Sequence, residues 1–208
     1  MFGRLVRAGA TVSLVAGGAL CTLYMLARAD SVIGHNSDLA RFALTIVPPD
    51  QSLWSESFER RYNASDSQNA GEALAVLRVP SVGIEVPVYQ KGTEPRLIRG
   101  VGLIDGMGIP DQGGNVGIAG HRDGFFRALK DIRKGDLIVL QTRAHVQRYR
   151  VANIQIVSAS DRHALADTED PSITLVTCYP FYFVGHAPQR FIVHGTYEWS
   201  SPGELPLK

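Results

Sequence analysis

The sequence predicts an all-β domain with short helices, closed into an eight-stranded barrel and preceded by one N-terminal transmembrane helix. Three observations carry that reading. From residue 73 onward, short runs rich in β-branched residues recur between turn residues such as Pro80, Gly83, Gly113-Gly114 and Pro171. There are about eight such runs with room only for short helices, which fits a closed barrel better than a sandwich with large loops. Ahead of them, residues 8–27 carry no charge, about the length that crosses a bilayer core as a helix.

The chain has 208 residues, 45% hydrophobic and 20% charged, enough for one domain with extensions. A formal net charge of +1 offers no basic excess, so nucleic acid is not an expected partner. Arg4 and Arg7 precede the uncharged run. The positive-inside rule keeps that end cytoplasmic and sends the rest across the inner membrane, as a single-pass protein. Ala27-Arg28-Ala29 fits a signal-peptidase site, but the run is longer than a usual signal core, so an uncleaved anchor is expected. The organisation read from the sequence is an anchor over 1–29, a stalk over 30–72, a barrel over 73–200 and a tail over 201–208.

Within the stalk, Pro48-Pro49 is a break. Asp50 or Ser52 is the expected cap of a short helix on which Trp54, Phe58 and Tyr62 recur every four residues and share a face. That stripe is expected to pack on the domain; cover of an active cleft is the sharper alternative. Strands are expected near 73–79, 84–88, 101–104, 116–121, 137–141, 147–157, 173–177 and 190–197. The sixth run changes phase near Asn153, which suggests a bulge or two strands. Short helices fit at 95–99 and 125–132.

The seventh run, ended by Pro180, reads as a buried strand with Cys178 at its end, facing a cleft. Arg190 opens the eighth run after one loop. If the two strands pair, thiol and guanidinium lie side by side, and the charge favours the reactive thiolate. The only other cysteine, Cys21, falls in the uncharged run. Leu20 precedes it where a lipoprotein-type cysteine requires a small residue, so Cys21 reads as membrane-buried. Cys178 is then the single thiol of an exported domain, which marks it as a candidate nucleophile. His121 ends the fourth run, after Gly117 and Gly120, where a backbone or substrate can approach closely. A Cys–His pair is the minimum for acyl transfer: the imidazole favours the thiolate and then protonates the leaving amine. Arg190 can donate to the developing oxyanion.

His145 and His163 fall in expected turns or helix edges. His186 lies in the loop between Cys178 and Arg190, and His194 shares a strand face with Arg190. Cys178, His121, His186 and His194 show no tight ligand spacing, so neither a metal nor another cofactor is expected.

Gly120-His121-Arg122, followed by Thr174-Leu175-Val176-Thr177-Cys178 and then Arg190, resembles the sortases, and the resemblance extends over 73–199. It implies a membrane-anchored cysteine transpeptidase with an eight-stranded β-barrel. His121 matches the catalytic histidine, Cys178 the nucleophile and Arg190 the arginine that positions and polarises the substrate. The run Cys178-Tyr179-Pro180-Phe181-Tyr182, with the chain closing soon after Arg190, looks most like class D. The stretch Asp50-Gln51-Ser52-Leu53-Trp54 looks like Gram-negative versions. No Asp-Pro-aromatic lid of the pilus-building type is present. The implied partners are secreted proteins with a C-terminal sorting signal of the LPXTG type. That signal is cut to a thioester on Cys178, and the acyl group passes to an amine. His194 has no role in the pattern.

Other exported cysteine enzymes fit less well. Papain-like peptidases carry Cys before His, and L,D-transpeptidases hold both in one short motif absent here. A membrane-tethered β-barrel binding module without activity is the alternative from a different class, and it requires an inert, buried Cys178.

Overall fold

The computed structural model describes residues 49–66, 70–182, 185 and 187–202. The expected anchor with Arg4, Arg7 and Cys21, the loop residue His186 and most of the expected tail lie outside them. Among the described residues no helix is long and apolar enough to cross a membrane.

Eight strands form a closed barrel: β1 (Ala75–Val79), β2 (Ile84–Tyr89), β3 (Val101–Leu103), β4 (Asn115–Ala119), β5 (Leu137–Thr142), β6 (His145–Ser158), β7 (Ser172–Tyr179) and β8 (Gln189–Pro202). Around the barrel they run β1-β2-β3-β4-β7-β8-β6-β5, with β5 pairing back to β1. The β2–β3 and β4–β7 pairs are parallel and the others antiparallel. Alternate residues of each strand point inward. Leu77, Val86, Ile118, Ile138, Leu140, Ile173, Leu175 and Val193, all fully buried, form the interior core.

β6 is one strand with register shifts against β8 at Arg148/Tyr149 and Val151/Asn153, so the phase change near Asn153 is a bulge and not a break. β6 opens at His145, two residues before its expected start. Asp111 holds that ring, with its Oδ1 3.1 Å from Nδ1. His145 is therefore a strand residue and not a turn residue. His163 starts an exposed 3₁₀ turn, as an edge position should.

Before the barrel lies α1 (Glu56–Ala64). Its cap is Ser55, not Asp50 or Ser52. The Ser55 Oγ accepts from the Phe58 N–H at 3.1 Å, while Asp50 closes a turn by accepting from the Ser52 N–H. Tertiary contact selects the cap: the Ser55 N–H donates to the Asp123 carbonyl at 3.0 Å. Trp54, Phe58 and Tyr62 do share a face and pack on the domain. Trp54 meets Phe125 edge-on at 4.8 Å, and Phe58 is fully buried. Phe58 occupies the space over Gly124, where a Cβ would lie 2.3 Å from its ring. The short helix α2 (Glu94–Arg99) joins β2 to β3, with Pro95 in its first turn. The expected helix at 125–132 is a 3₁₀ helix over Phe125–Asp131. Its buried Phe126 and Leu129 sit three residues apart, the spacing that aligns side chains in that geometry.

Candidate active site

Three adjacent strands, β4, β7 and β8, bring the predicted residues together. Cys178 lies directly opposite Arg190 in the β7–β8 ladder. In the parallel β4–β7 pair Ala119 faces Val176, and one residue on the Gly120 N–H donates to the Val176 carbonyl at 3.1 Å. The buried Thr177 hydroxyl returns a bond to the Gly120 carbonyl at 2.8 Å. These two bonds carry the register past the end of β4, so His121 stands level with Cys178. His121 therefore lies two residues beyond its strand, not on it, and Cys178 lies inside β7. The resulting order across the sheet is His121, Cys178, Arg190, with Cys178 and Arg190 about one strand spacing of 4.8 Å apart.

Cys178 is a free thiol and half-buried, not sealed in the core. Its side chain shares the outer face of the barrel wall with Thr174 and Val176, whereas Ile173 and Leu175 fill the interior. The Arg190 Nη1 donates to the carbonyls of Ala187, at 3.2 Å, and Gln189, at 3.0 Å. Its other guanidinium nitrogens donate to no protein acceptor among the described residues, so they remain available to a substrate oxygen. The His121 side chain is 26% exposed. Phe58 meets the ring edge-on at 5.9 Å, so α1 contributes one wall around it. Nε2 is buried and makes no hydrogen bond, and the Glu94 Oε2 lies 3.3 Å away.

The sequence reading missed two side chains here. Arg122, part of the Gly-His-Arg run, donates to the carbonyls of Pro180, at 3.2 Å, and Gly185, at 2.8 Å. It thus ties the loop after Cys178 to the segment that carries His121. Glu94 comes from α2, and no local pattern links it to His121.

His194 joins a different network. The Asn115 side-chain N–H donates to the Ala166 carbonyl at 2.9 Å, so its Oδ1 is the atom that accepts the Thr174 hydroxyl proton at 2.8 Å. The Thr174 oxygen can then only accept from the His194 Nδ1, 3.2 Å away. Burial holds the His194 pKa below its ordinary value, in keeping with a neutral ring that carries its proton on Nδ1. His194 pairs with Thr174, four residues along β7 from Cys178, or about 13 Å. It cannot act as base there.

Two cavities of several hundred Å³ open among the described residues. One of about 390 Å³ is lined by Arg122, Asp123, Arg127, Phe181 and Tyr182. The other, about 500 Å³, lies between the 168–172 segment and β8, with His194 and Tyr197 in its wall. Between Cys178 and the second cavity the outer face carries the small Ala119 and the apolar Val176 and Ile192. The row can therefore support attack by a sulfur on an extended peptide's carbonyl, with a proton donor on one side and an oxyanion donor on the other.

Residues 77–198 match the Sortase domain family. Sortase D of Bacillus subtilis (strain 168) is 31% identical over 138 residues, which are 66% of this chain and 70% of that protein. Among solved structures, the catalytic domain of B. anthracis SrtD is 32% identical with a TM-score of 0.54, covering 64% of this chain and 92% of that one. Sortase E1 from Streptomyces coelicolor, solved with a tripeptide in its active site, is 29% identical with a TM-score of 0.57, covering 64% and 91%.

Proposed function

The chain belongs to the sortase family of cysteine transpeptidases, and on that premise we propose that it cleaves an LPXTG-like sorting signal through a thioester on Cys178 and passes the acyl group to an amine. The observation that carries this reading is the register that ranks His121, Cys178 and Arg190 across three adjoining strands. Likeness to a sortase D supports class D.

The steps follow from the row. Cys178 gives its proton to His121, and its sulfur attacks the carbonyl carbon of the signal's Thr, forming a C–S bond. Negative charge collects on the carbonyl oxygen, where the Arg190 N–H groups donate. The intermediate collapses with loss of the C–N bond, and His121 gives the departing Gly nitrogen its proton. An incoming amine then attacks the thioester, loses its proton to His121, and releases Cys178.

The uncharged run at 8–27, with Arg4 and Arg7 before it, supports an inner-membrane anchor with the barrel on the extracytoplasmic side, where secreted proteins carrying the signal arrive. The test is mass spectrometry of the full chain in detergent after incubation with a library of LPXTG-type peptides. The expected result is an adduct of the acyl fragment on Cys178 that hydroxylamine removes. If no peptide leaves an adduct, the signal class is wrong. If Cys178 also resists a thiol reagent in the folded protein, the site is a binding module.

A further inference from the structure

We propose that Glu94 is a positioning residue for His121: its carboxylate keeps the ring proton on Nε2 and leaves Nδ1 as the nitrogen that trades protons with the reacting groups. The inference rests on the reading of His121 as the acid and base of the site, and it concerns which ring atom works and what orients it.

A neutral imidazole has one N–H and one lone pair. The His121 Nε2 is buried and makes no hydrogen bond, so it can reach neither solvent nor substrate as the ring stands. The Glu94 Oε2 lies 3.3 Å from it. An Nε2 lone pair aimed at a carboxylate is repelled, whereas an N–H is attracted, so the proton belongs on Nε2. The contact lacks hydrogen-bond alignment, and a small rotation of the ring or carboxylate completes it. Active-site hydrogen bonds in a protein without substrate are commonly long in this way.

The carboxylate is itself held. Its Oε1 accepts from the Arg61 Nη1 at 2.8 Å, and the Arg61 Nη2 reaches the Asp123 Oδ2 at 3.3 Å. Asp123 also accepts from the Ser55 hydroxyl at 3.3 Å. Glu94 opens α2, where the helix dipole favours a carboxylate. Two elements outside the β4–β7–β8 strip, α1 and α2, thus meet behind the ring. A base oriented by a third group is the recurrent arrangement of nucleophilic sites.

The test uses the full chain in detergent, an LPXTG-type fluorogenic peptide, and single-turnover acylation of Cys178. Glu94→Ala should slow acylation by about 10- to 100-fold with peptide binding unchanged, by analogy with the loss of a carboxylate that orients a metal-bound histidine. Glu94→Gln should recover most of the rate, because its side-chain oxygen still accepts from Nε2–H. Glu94→Lys should be slower than Glu94→Ala, since a donor opposite Nε2 drives the proton to Nδ1. The side chain is 59% exposed, so all three variants should fold, and a thermal melt checks this. The ¹⁵N shifts of the His121 ring, assigned with His121→Gln, read the proton position without any substrate. They should place it on Nε2 in the wild type and on Nδ1 in Glu94→Lys. Wild-type rates in Glu94→Ala and Glu94→Lys overturn the proposal, as does a wild-type ring with its proton on Nδ1. Should the wild type acylate with no peptide, the proposed signal class falls and the ring spectrum alone decides the role of Glu94.

Discussion

Cys178→Ala should abolish the acyl-enzyme, since the sequence's only other cysteine is Cys21. Cys178→Ser should fail too, because a hydroxyl is far less acidic than a thiol and yields far less of the attacking anion beside His121. Arg190→Ala should slow acylation by about 10²- to 10³-fold, the scale of one lost oxyanion donor. Arg190→Lys should recover only part, because one terminal nitrogen of the planar guanidinium is tied to Ala187 and Gln189 while the others have no acceptor among the described residues, a division that one ammonium cannot copy. Peptide acylation followed by mass spectrometry reads all four; a wild-type rate for Arg190→Ala removes it from the mechanism. His194 gives a prediction of the other kind. Its folded pKa lies below the unfolded one, so the unfolded chain binds the proton more readily at mildly acid pH. The stability it contributes is present above about pH 6.5 and is lost as the pH falls from that value through the lower folded one. Urea unfolding at pH 7.5 and 5.5 should show a smaller loss in His194→Gln than in the wild type. An equal loss would show that the ring is not held neutral. Cys178, Arg190 and His121 were legible in the sequence because each stands where a β-rich run ends or begins, and such ends open on a face. Glu94 was not legible, because its approach to His121 depends on the parallel β2–β3 crossover that seats α2, and no spacing in the chain encodes that.

At the scale of elements, the helix α1 shows the same division. Its four-residue aromatic spacing announced a helix with one buried face. Its cap lies three residues after Ser52 and five after Asp50 because Ser55 is chosen by Asp123, far along the chain, and not by local sequence. The 3₁₀ form of Phe125–Asp131 was equally hidden, since the same apolar residues suit an α-turn until Phe126 and Leu129 must face one core. The packing of α1 predicts a coupled pair. Gly124→Ala puts a methyl against the Phe58 ring and should destabilise the fold by about 1–3 kcal/mol. Phe58→Leu, which vacates that space, should recover part of the loss in the double variant, and denaturant unfolding of the four proteins gives the cycle. Strictly additive losses would place the strain elsewhere. Thr177→Val tests the other junction. It removes the hydroxyl that ties Gly120 to β7 and leaves a buried carbonyl with one partner fewer, at about 1–3 kcal/mol. Because that bond also sets His121 level with Cys178, acylation should fall further than stability explains, which rates measured well below the melting range would reveal.

For the whole molecule, the barrel and the sequence ahead of it make separate statements that meet in one topology. The barrel's interior is filled by alternate residues of eight strands, and its chemistry lies on the outer face of three of them, where Cys178 is only half-buried. A transpeptidase that works on secreted proteins must meet its substrate after export, and Cys178, unpaired in the folded domain, suits that task only if it is kept for chemistry. Under the proposed topology, Arg4 and Arg7 ahead of the uncharged run at 8–27 hold the N-terminus in the cytoplasm and the barrel lies across the membrane. Protease added to intact spheroplasts should therefore remove the barrel, while an N-terminal tag stays protected with the anchor. The anchor should remain in the membrane fraction after a carbonate wash, because a spanning apolar helix is held by burial and not by charge. Protection of the barrel from the protease would reverse the topology. A barrel released whole into the periplasm, with its N-terminus near Ala29, would mean that the apolar run is a cleaved signal and that the enzyme works untethered.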